Sequence, residues 1–267
     1  MEDAPTSEAK PAQLRRQRML DLIRLEEFVG VAELGERFGV SQVTARTDLD
    51  ALARRGLVRR IRGGAMSRIA AGHERAFEET ELRYHAEKEI IGRAAANLVT
   101  DGETVILDVG TTTTEAARAL AARTSLAGVT VITSALNIAL ELEPTIPRLT
   151  VVVLGGTLRP LQHSLVDPLA ALPLAHVNAH TLLLGCNGVD PVAGVTNVNL
   201  PEADVKRRLL AASRRRIVLA DGSKLGTVHL ARLCRLDEVD AVVTGPSADP
   251  GVVDDLRQRG VDVLVAT

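Results

Sequence analysis

From about residue 100 to the C-terminus, short runs of valine, leucine and isoleucine alternate with stretches of helical periodicity. This alternation restricts the fold of the 267-residue chain more than any other feature. The apolar runs fall at 104–107, 129–133, 150–154, 181–184, 216–220, 241–244 and 261–265. Helices are expected between them, near 115–122, 134–142, 165–172, 201–213 and 252–259. The runs are rich in Val and Leu and show no regular polar alternation. A strand that is apolar at successive positions is buried on both faces, which fits a mostly parallel sheet covered by helices on both sides. With 1% aromatic residues and no Trp, the cores of such a fold must be built from Val, Leu, Ile and Ala.

The N-terminal part is organised differently. Residues 1–12 are polar, carry Pro5 and Pro11, and are expected to be disordered. A helix is expected over about 14–29, a short second one over 32–38 closed by Gly39, and a third within "SQVTARTDLDALARRG", N-capped by Ser41 and closed at Gly56. "LVRRIRGGA" follows as a strand–turn–strand, so the whole reads as a winged helix-turn-helix. In the third helix Ala45, Leu49 and Leu52 share a face for packing, while Ser41, Val43, Thr44 and Thr47 project away from it, with Gln42 and Arg46 at the flanks. A recognition helix must be divided in this way, one stripe holding the fold and the other entering the major groove. Gln42 and Arg46 carry donors for adenine or guanine edges, and Thr44 or Thr47 suits a thymine methyl. Arg54, Arg55, Arg59, Arg60 and Arg62 suit phosphates.

Charge agrees with this division. Residues 10–68 hold 13 Lys/Arg against 7 Asp/Glu, whereas the 199 residues after them hold 19 against 24. A basic head on an acidic body points to an anionic polymer as partner of the head, a solvated charged face being the blander reading. The head resembles the DNA-binding domain of DeoR-type (DeoR/GlpR family) transcriptional regulators. Ser41, Thr44, Ala45, Arg46, Asp48 and Leu49 match that family's helix pattern, and Gly63-Gly64-Ala65 its wing. Thr47 stands where a second arginine or lysine is common, and Arg62 where histidine is usual.

In the C-terminal part the polar residues gather at the ends of the apolar runs. "ILDVGTTTTEAARAL" sets Asp108, Gly110 and Thr111, Thr112, Thr113 and Thr114 between a strand and a helix. Free N–H groups, the helix dipole and hydroxyls make such a place a natural anion site, sized for one phosphate. Neither a P-loop nor a Gly-x-Gly-x-x-Gly dinucleotide fingerprint is present. Other run ends carry Thr133, Ser134 and Asn137, then Gly155, Gly156 and Arg159, then Asn187, then Glu202 and Lys206, then Asp221 and Lys224. Ligands of open α/β sheets bind outside the C-terminal strand ends, where these groups would meet. Blander readings also exist: Asp108 as a turn cap, and Glu202 with Lys206 as an ordinary i,i+4 surface pair.

The same series is similar to the C-terminal sensor domain of DeoR-type regulators, nearly continuously from "HAEKEIIGRAAANLV" onward. The resemblance implies a fold like that of sugar-phosphate isomerases and a phosphorylated sugar or related metabolite as effector. It places the phosphate near Gly110–Thr113 and sugar contacts at Asp108, Asn187, Glu202, Asp221 and Lys224. Asp167 departs from it by occupying a usual glycine, and Cys186 by occupying a position of small residues.

The expected architecture is a winged helix-turn-helix over 13–66, a connecting helix over 67–100 and a Rossmann-like α/β sensor domain over 101–267. The expected function is a ligand-responsive regulator, a repressor of a carbohydrate operon. Its partners are double-stranded operator DNA and a small phosphorylated metabolite, and it is expected to act as a homodimer or homotetramer in the cytoplasm. The alternative is a sugar-phosphate isomerase or deaminase with an added helical domain, using Asp108, Glu202 or Asp221 as base. No catalytic residue, cofactor, metal or membrane contact is expected. His176 and His180 lack a third ligand and are read as surface residues, Cys186 is read as a buried hydrophobe, and the two cysteines form no disulfide framework.

Overall fold

The computed structural model describes residues 9–26, 28–61, 63–67 and 74–267, without side chains at 9–11, 24–26, 28, 59, 61, 66 and 67. The chain divides into two compact units, Met1–Glu74 and Arg75–Thr267. The division lies several residues beyond the expected boundary at 66.

The first unit comprises α1 (Ala9–Glu26), β1 (Phe28–Gly30), α2 (Val31–Phe38), α3 (Gln42–Arg54), β2 (Val58–Ile61) and β3 (Gly64–Ser67). Residues 9–12 therefore belong to a helix rather than to a disordered tail, and residues 1–8 lie outside the described residues. The end of the first expected helix is instead a strand. β1, β3 and β2 form an antiparallel three-stranded sheet in that order, Val29 opposite Ala65 and Arg60 opposite Ala65 on the other side. Met19, Ile23, Leu34, Ala45, Leu49 and Leu52 close the core, which contains no described aromatic side chain except partly buried Phe38 at its rim.

The second unit opens with α4 (Phe77–Leu82) and α5 (His85–Asn97). The continuous connecting helix expected over 67–100 is broken at Tyr84, whose left-handed backbone (φ 53°) turns the chain between them. Then follow β4 (Thr104–Leu107), α6 (Thr111–Ala122), β5 (Thr130–Thr133), α7 (Leu136–Leu142), β6 (Thr150–Val153), β7 (Thr157–Arg159), β8 (Ser164–Val166) and α8 (Pro168–Ala171). The remainder is β9 (Ala179–Gly185), β10 (Gly188–Asp190), β11 (Gly194–Asn197), α9 (Leu200–Ala211), β12 (Ser213–Leu219), β13 (Ala231–Cys234), β14 (Ala241–Thr244), α10 (Pro250–Gln258) and β15 (Asp262–Val265). All seven expected apolar runs become strands of one parallel sheet, ordered β15-β14-β12-β9-β4-β5-β6. The helix expected over 165–172 is shorter, because Ser164–Val166 pairs with β7.

Burial explains why the runs lack polar alternation. Val105 and Leu107 of β4 face one apolar layer with Ile91, Ala95, Ala116 and Leu120, while Ile106 faces the other with Leu182 and Leu184. The α5–α6 packing is close enough to require a glycine: a Cβ on Gly92 would lie 2.6 Å from the Glu115 carbonyl carbon. The order of β4, β5 and β6 runs one way from β4, and β9, β12, β14 and β15 run the other. The direction of winding reverses between β4 and β9, and in doubly wound sheets that reversal opens a crevice at the C-terminal strand ends.

Candidate DNA-reading helix and ligand site

In the first unit, α3 has the division the sequence suggested. Ala45, Asp48, Leu49 and Leu52 are buried, while Gln42, Val43, Arg46 and Thr47 are exposed, Val43 to 69%. The Ser41 hydroxyl accepts the Thr44 N–H at 3.1 Å and lies 2.9 Å from the Thr44 hydroxyl, so these two residues start the helix and hold each other. The Thr47 hydroxyl donates to the Val43 carbonyl. This leaves Gln42 and Arg46 as the exposed side chains of the first two turns whose donors are not used among the described residues. Arg54 is exposed at the far end. Arg60, read as a phosphate contact, is engaged internally: Nε pairs with Asp50 at 3.0 Å and Nη1 donates to the Gly64 carbonyl, tying the wing to α3. The Arg59 side chain and Arg62 lie outside the described residues.

In the second unit, the reversal point is occupied by charge. Asp108 follows β4 and is 1% exposed; its Oδ2 accepts the Gly185 N–H from the end of β9 at 2.9 Å and is in direct contact with the Lys206 ammonium. Lys206 Nζ also donates to the Gly185 carbonyl at 3.0 Å. Only glycine fits at 185, since a Cβ would lie 2.7 Å from the Val109 carbonyl oxygen. Desolvation works against the Lys206 ammonium, yet the carboxylates of Asp108 and Glu202 outweigh it and hold its pKa above the ordinary lysine value. On Asp108 desolvation outweighs the pull of the Lys206 ammonium and raises the carboxyl above the ordinary carboxylate value. Asp108 is thus no turn cap, and Glu202 and Lys206 are no surface pair. Both are buried on α9, and Glu202 takes Arg159 and the Ser164 hydroxyl as its partners.

The threonines form the first turn of α6 rather than a loop before it. Gly110, at φ 133°, is the N-cap and provides no side-chain bond. The hydroxyls of Thr113 and Thr114 both donate to the Gly110 carbonyl at 2.8 Å, and Thr114 Oγ1 accepts the Asn137 amide. These two hydroxyls brace the turn. Those of Thr111 and Thr112 have no hydrogen-bond partner among the described residues, and Thr114 is the first residue of the turn whose N–H is taken up, by Gly110. The free donors are therefore Thr111, Thr112 and the leading amides, at the positive end of a 12-residue helix.

Other expected residues separate by distance. Asp221 accepts the Ser223 N–H at 3.1 Å and the Ser223 hydroxyl, shaping the turn that carries Lys224. That turn ends β12, two strands from β4, or about 10 Å at the usual strand spacing. Gly155 and Gly156 follow β6, two strands away on the other side, so the strands that carry them and Lys224 lie about 19 Å apart at the usual spacing. One small metabolite does not span that gap. Gly156 has its own reason to be glycine, since a Cβ there would lie 2.5 Å from the Val166 carbonyl oxygen. Thr133 accepts the Ala135 N–H, Ser134 is buried beside it, and Asn187 accepts the Val198 N–H. These three shape the strand-end loops.

Sequence reasoning missed Lys88 and Glu87 on α5. Lys88 is 2% exposed and donates to the Thr80 carbonyl; desolvation lowers its pKa to about 8, with Asp221 opposing and Lys224 assisting. The Glu87 carboxylate takes the Gly222 N–H, the Ser247 N–H and the Ser247 hydroxyl, fastening α5 to the Asp221–Lys224 turn. A signal was available: Lys88 lies on the stripe of Ile91 and Ala95, where a lysine interrupts an apolar face. His176 and His180 are exposed, and His180 Nδ1 accepts the Thr104 N–H at 2.9 Å. Among the described residues no group of His, Cys, Asp and Glu is arranged to hold a metal, and no helix is long and apolar enough to cross a membrane. Desolvation pushes the Cys186 thiol up to about 12, which leaves it an inert thiol rather than a reactive thiolate.

Comparison with known proteins matches both units. Residues 15–69 match the DeoR-like helix-turn-helix domain, and residues 83–246 the DeoR C terminal sensor domain. The HTH-type transcriptional regulator GlpR of Haloferax volcanii is 32% identical over 94% of this chain and 96% of its own length. The transcriptional repressor AccR of Agrobacterium fabrum is 33% identical over 86% of this chain and 88% of its own. The HTH-type transcriptional repressor GlcR of Bacillus subtilis is 30% identical over 92% and 93%. Among solved structures, ribose 5-phosphate isomerase A of Methanocaldococcus jannaschii is similar at 16% identity and a TM-score of 0.40 over 53% of this chain and 54% of that one. The fold class is read from the strand order itself. The full-length relatives are regulators and repressors by name, so the isomerase or deaminase alternative falls away. With a DNA-reading helix in one unit and a sensor domain in the other, the chain belongs to the DeoR family and is a DNA-binding transcriptional regulator, not an enzyme.

Proposed function

We propose that the chain is a cytoplasmic repressor of a carbohydrate operon whose effector is a phosphorylated sugar, bound at the C-terminal ends of β4, β9 and β12. The observation that carries this reading is the unused donor set beside the winding reversal. Thr111, Thr112 and the leading amides of α6 face it from one side, and Lys224, without a partner among the described residues, from the other. The phosphate sits on the first turn of α6, where amides and dipole favour an anion. Asp108 and Lys206 form the charged floor of the site, and the Glu202–Arg159 pair its wall. Asp221 positions Lys224. Gly155 and Gly156 belong to the packing of β8 and α8 and not to the ligand.

On DNA, Gln42 and Arg46 read base edges, Thr44 and Thr47 offer methyl groups, and Arg54 meets phosphate. Two copies present two such helices to repeated half-sites, as operator symmetry requires. The effector changes DNA affinity by binding one conformational state more tightly than the other. The test is a titration of the full chain with DNA from its own upstream region, at fixed salt, against a panel of sugar phosphates and the matching free sugars. One phosphorylated compound shifts binding and its free sugar does not, and Lys224→Ala abolishes the shift while leaving DNA affinity intact. A Lys224→Ala chain that still responds normally would refute the placement of the site.

A further inference from the structure

The DNA-facing residues singled out so far lie on α3 and the wing, but the first unit holds a second charged assembly that none of them uses. Asp48 is on the inner face of α3, between Ala45 and Leu49, and is 1% exposed. Its two carboxylate oxygens are taken by consecutive arginines of α1: Arg15 Nε donates to Oδ2 at 2.7 Å and Arg16 Nε to Oδ1 at 2.6 Å. The arginine side chains are 26% and 36% exposed.

One carboxylate facing two guanidiniums leaves one positive charge over. A purely structural link between α1 and α3 needs a single arginine; the second brings a like charge close to the first with no further anion paired to it among the described residues. The mode of attachment points the same way. Each guanidinium engages Asp48 through Nε, and the Nη groups of both have no partner among the described residues. Nη forks are the part of arginine whose spacing matches two oxygens of a phosphate. A buried carboxylate that grips both Nε atoms holds these forks in place before any ligand arrives, which reduces the side-chain freedom lost on binding.

We infer that Arg15 and Arg16, oriented by Asp48, form a preset clamp for DNA backbone phosphate on α1. The inference rests on the DNA-binding reading and extends it to a helix that reads no bases. The clamp contributes affinity without sequence preference, and Asp48 acts as its positioning residue while joining α1 to α3.

Phosphate contacts are counted by salt, because each one neutralised releases counterions and adds about 0.9 to the slope of log K against log salt. The experiment uses the full chain and a fluorescein-labelled random-sequence duplex, read by anisotropy between about 50 and 200 mM salt, so no operator need be known. Arg15→Gln and Arg16→Gln each lower the slope by about 0.9, making the fall in affinity over that range about 3.5-fold smaller, and about 12-fold smaller in the double variant. Arg15→Lys and Arg16→Lys keep the point charge and keep the slope. An unchanged slope in the Gln variants overturns the inference, as does a Lys variant that loses the slope as Gln does. Should the Gln variants lose their helical signal, the wild-type chain gives the answer by phenylglyoxal labelling with mass-spectrometric readout. Protection of Arg15 and Arg16 by the duplex supports the clamp, and equal labelling with and without DNA refutes it. A wild-type chain without salt-dependent affinity for the duplex would instead overturn the DNA-binding reading from which the clamp follows.

Discussion

The Asp108–Lys206 pair at the winding reversal allows a quantitative test. Lys206 is 3% exposed and Asp108 1%, and the ammonium bridges the end of β4 and the Gly185 carbonyl at the end of β9. Lys206→Met leaves a buried carboxylate whose one remaining cross-strand donor is the Gly185 N–H. Removing one partner of a buried pair costs about 3–5 kcal/mol, because the other charge is left uncompensated. Asp108→Asn leaves the ammonium with the Gly185 carbonyl and the field of Glu202, which Arg159 already engages, and the expected loss is of the same size. The double variant removes both charges, and the amide introduced at position 108 can still accept the Gly185 N–H. Its loss is expected to be about 1–2 kcal/mol, well below the sum of the single losses, so the coupling is about 4 kcal/mol or more. The chain has no Trp and one Tyr, and Tyr84 lies in the sensor unit. Urea unfolding followed by tyrosine fluorescence therefore reports this unit without contribution from the DNA-binding one. Single losses that simply add in the double variant would refute the pair as the lock of the reversal point.

Three further outcomes follow from particular residues. Asp167 holds φ 68° and ψ −179°, a backbone region that is essentially glycine's and costs other residues about 1–3 kcal/mol, so Asp167→Gly raises the urea midpoint; a lowered midpoint would show that the Asp167 side chain stabilises the start of α8. Lys88 has its pKa lowered to about 8 in the folded chain against 10.5 for the free side chain, so the unfolded chain binds the extra proton between these values and stability rises with pH across that window. At about 1.36 kcal/mol per unit the gain is on the order of 3 kcal/mol; Lys88→Met removes it, and a wild-type stability that is flat from pH 8 to 10.5 would contradict the buried ammonium. Arg46→Ala lowers affinity for the operator by about 1–3 kcal/mol and that for random DNA much less, as parallel titrations at one salt concentration would reveal; equal losses would make Arg46 a phosphate contact.

The sheet was legible because strands of a sheet covered on both faces are rich in apolar residues, and runs such as 104–107 or 241–244 are too short for helices. The short strands were not. Ser164–Val166 and Gly188–Asp190 have three residues each, too few to establish a period. The Thr111–Thr114 run misled in a specific way. β-branched residues disfavour helix interiors, but here two hydroxyls return to the Gly110 carbonyl and convert the poor formers into a braced first turn. Arg60 looked like its neighbours in a basic run, and its attachment to Asp50 and Gly64 depends on the hairpin register, which composition does not encode. Lys88 and Asp48 were visible as charges on apolar stripes. Their meaning came from partners 8 to 33 residues distant, on helices whose packing the sequence did not give.

The distribution of satisfied and unsatisfied charge narrows what the sensor domain can bind. Lys206 is paired with Asp108, both buried, and the part-buried Arg159 with the buried Glu202, so each of these four already has an opposite charge beside it. Lys88 is buried and spends a hydrogen bond on the Thr80 carbonyl. Glu87 is filled by backbone and serine donors. Of the charged and donor groups considered for this site, what remains is the Lys224 ammonium, carried beyond the end of β12, and the open first turn of α6, beyond the end of β4, on strands about 10 Å apart at the usual spacing. An uncharged sugar would leave both positive ends unanswered, and a dinucleotide would need the glycine-rich turn that Gly110-Thr111-Thr112 does not provide. In the proposed reading an anion with a hydroxylated body answers the helix end, the lysine and the turn shaped by Asp221 at once, which is why the free-sugar control separates that reading from every alternative that relies on shape alone.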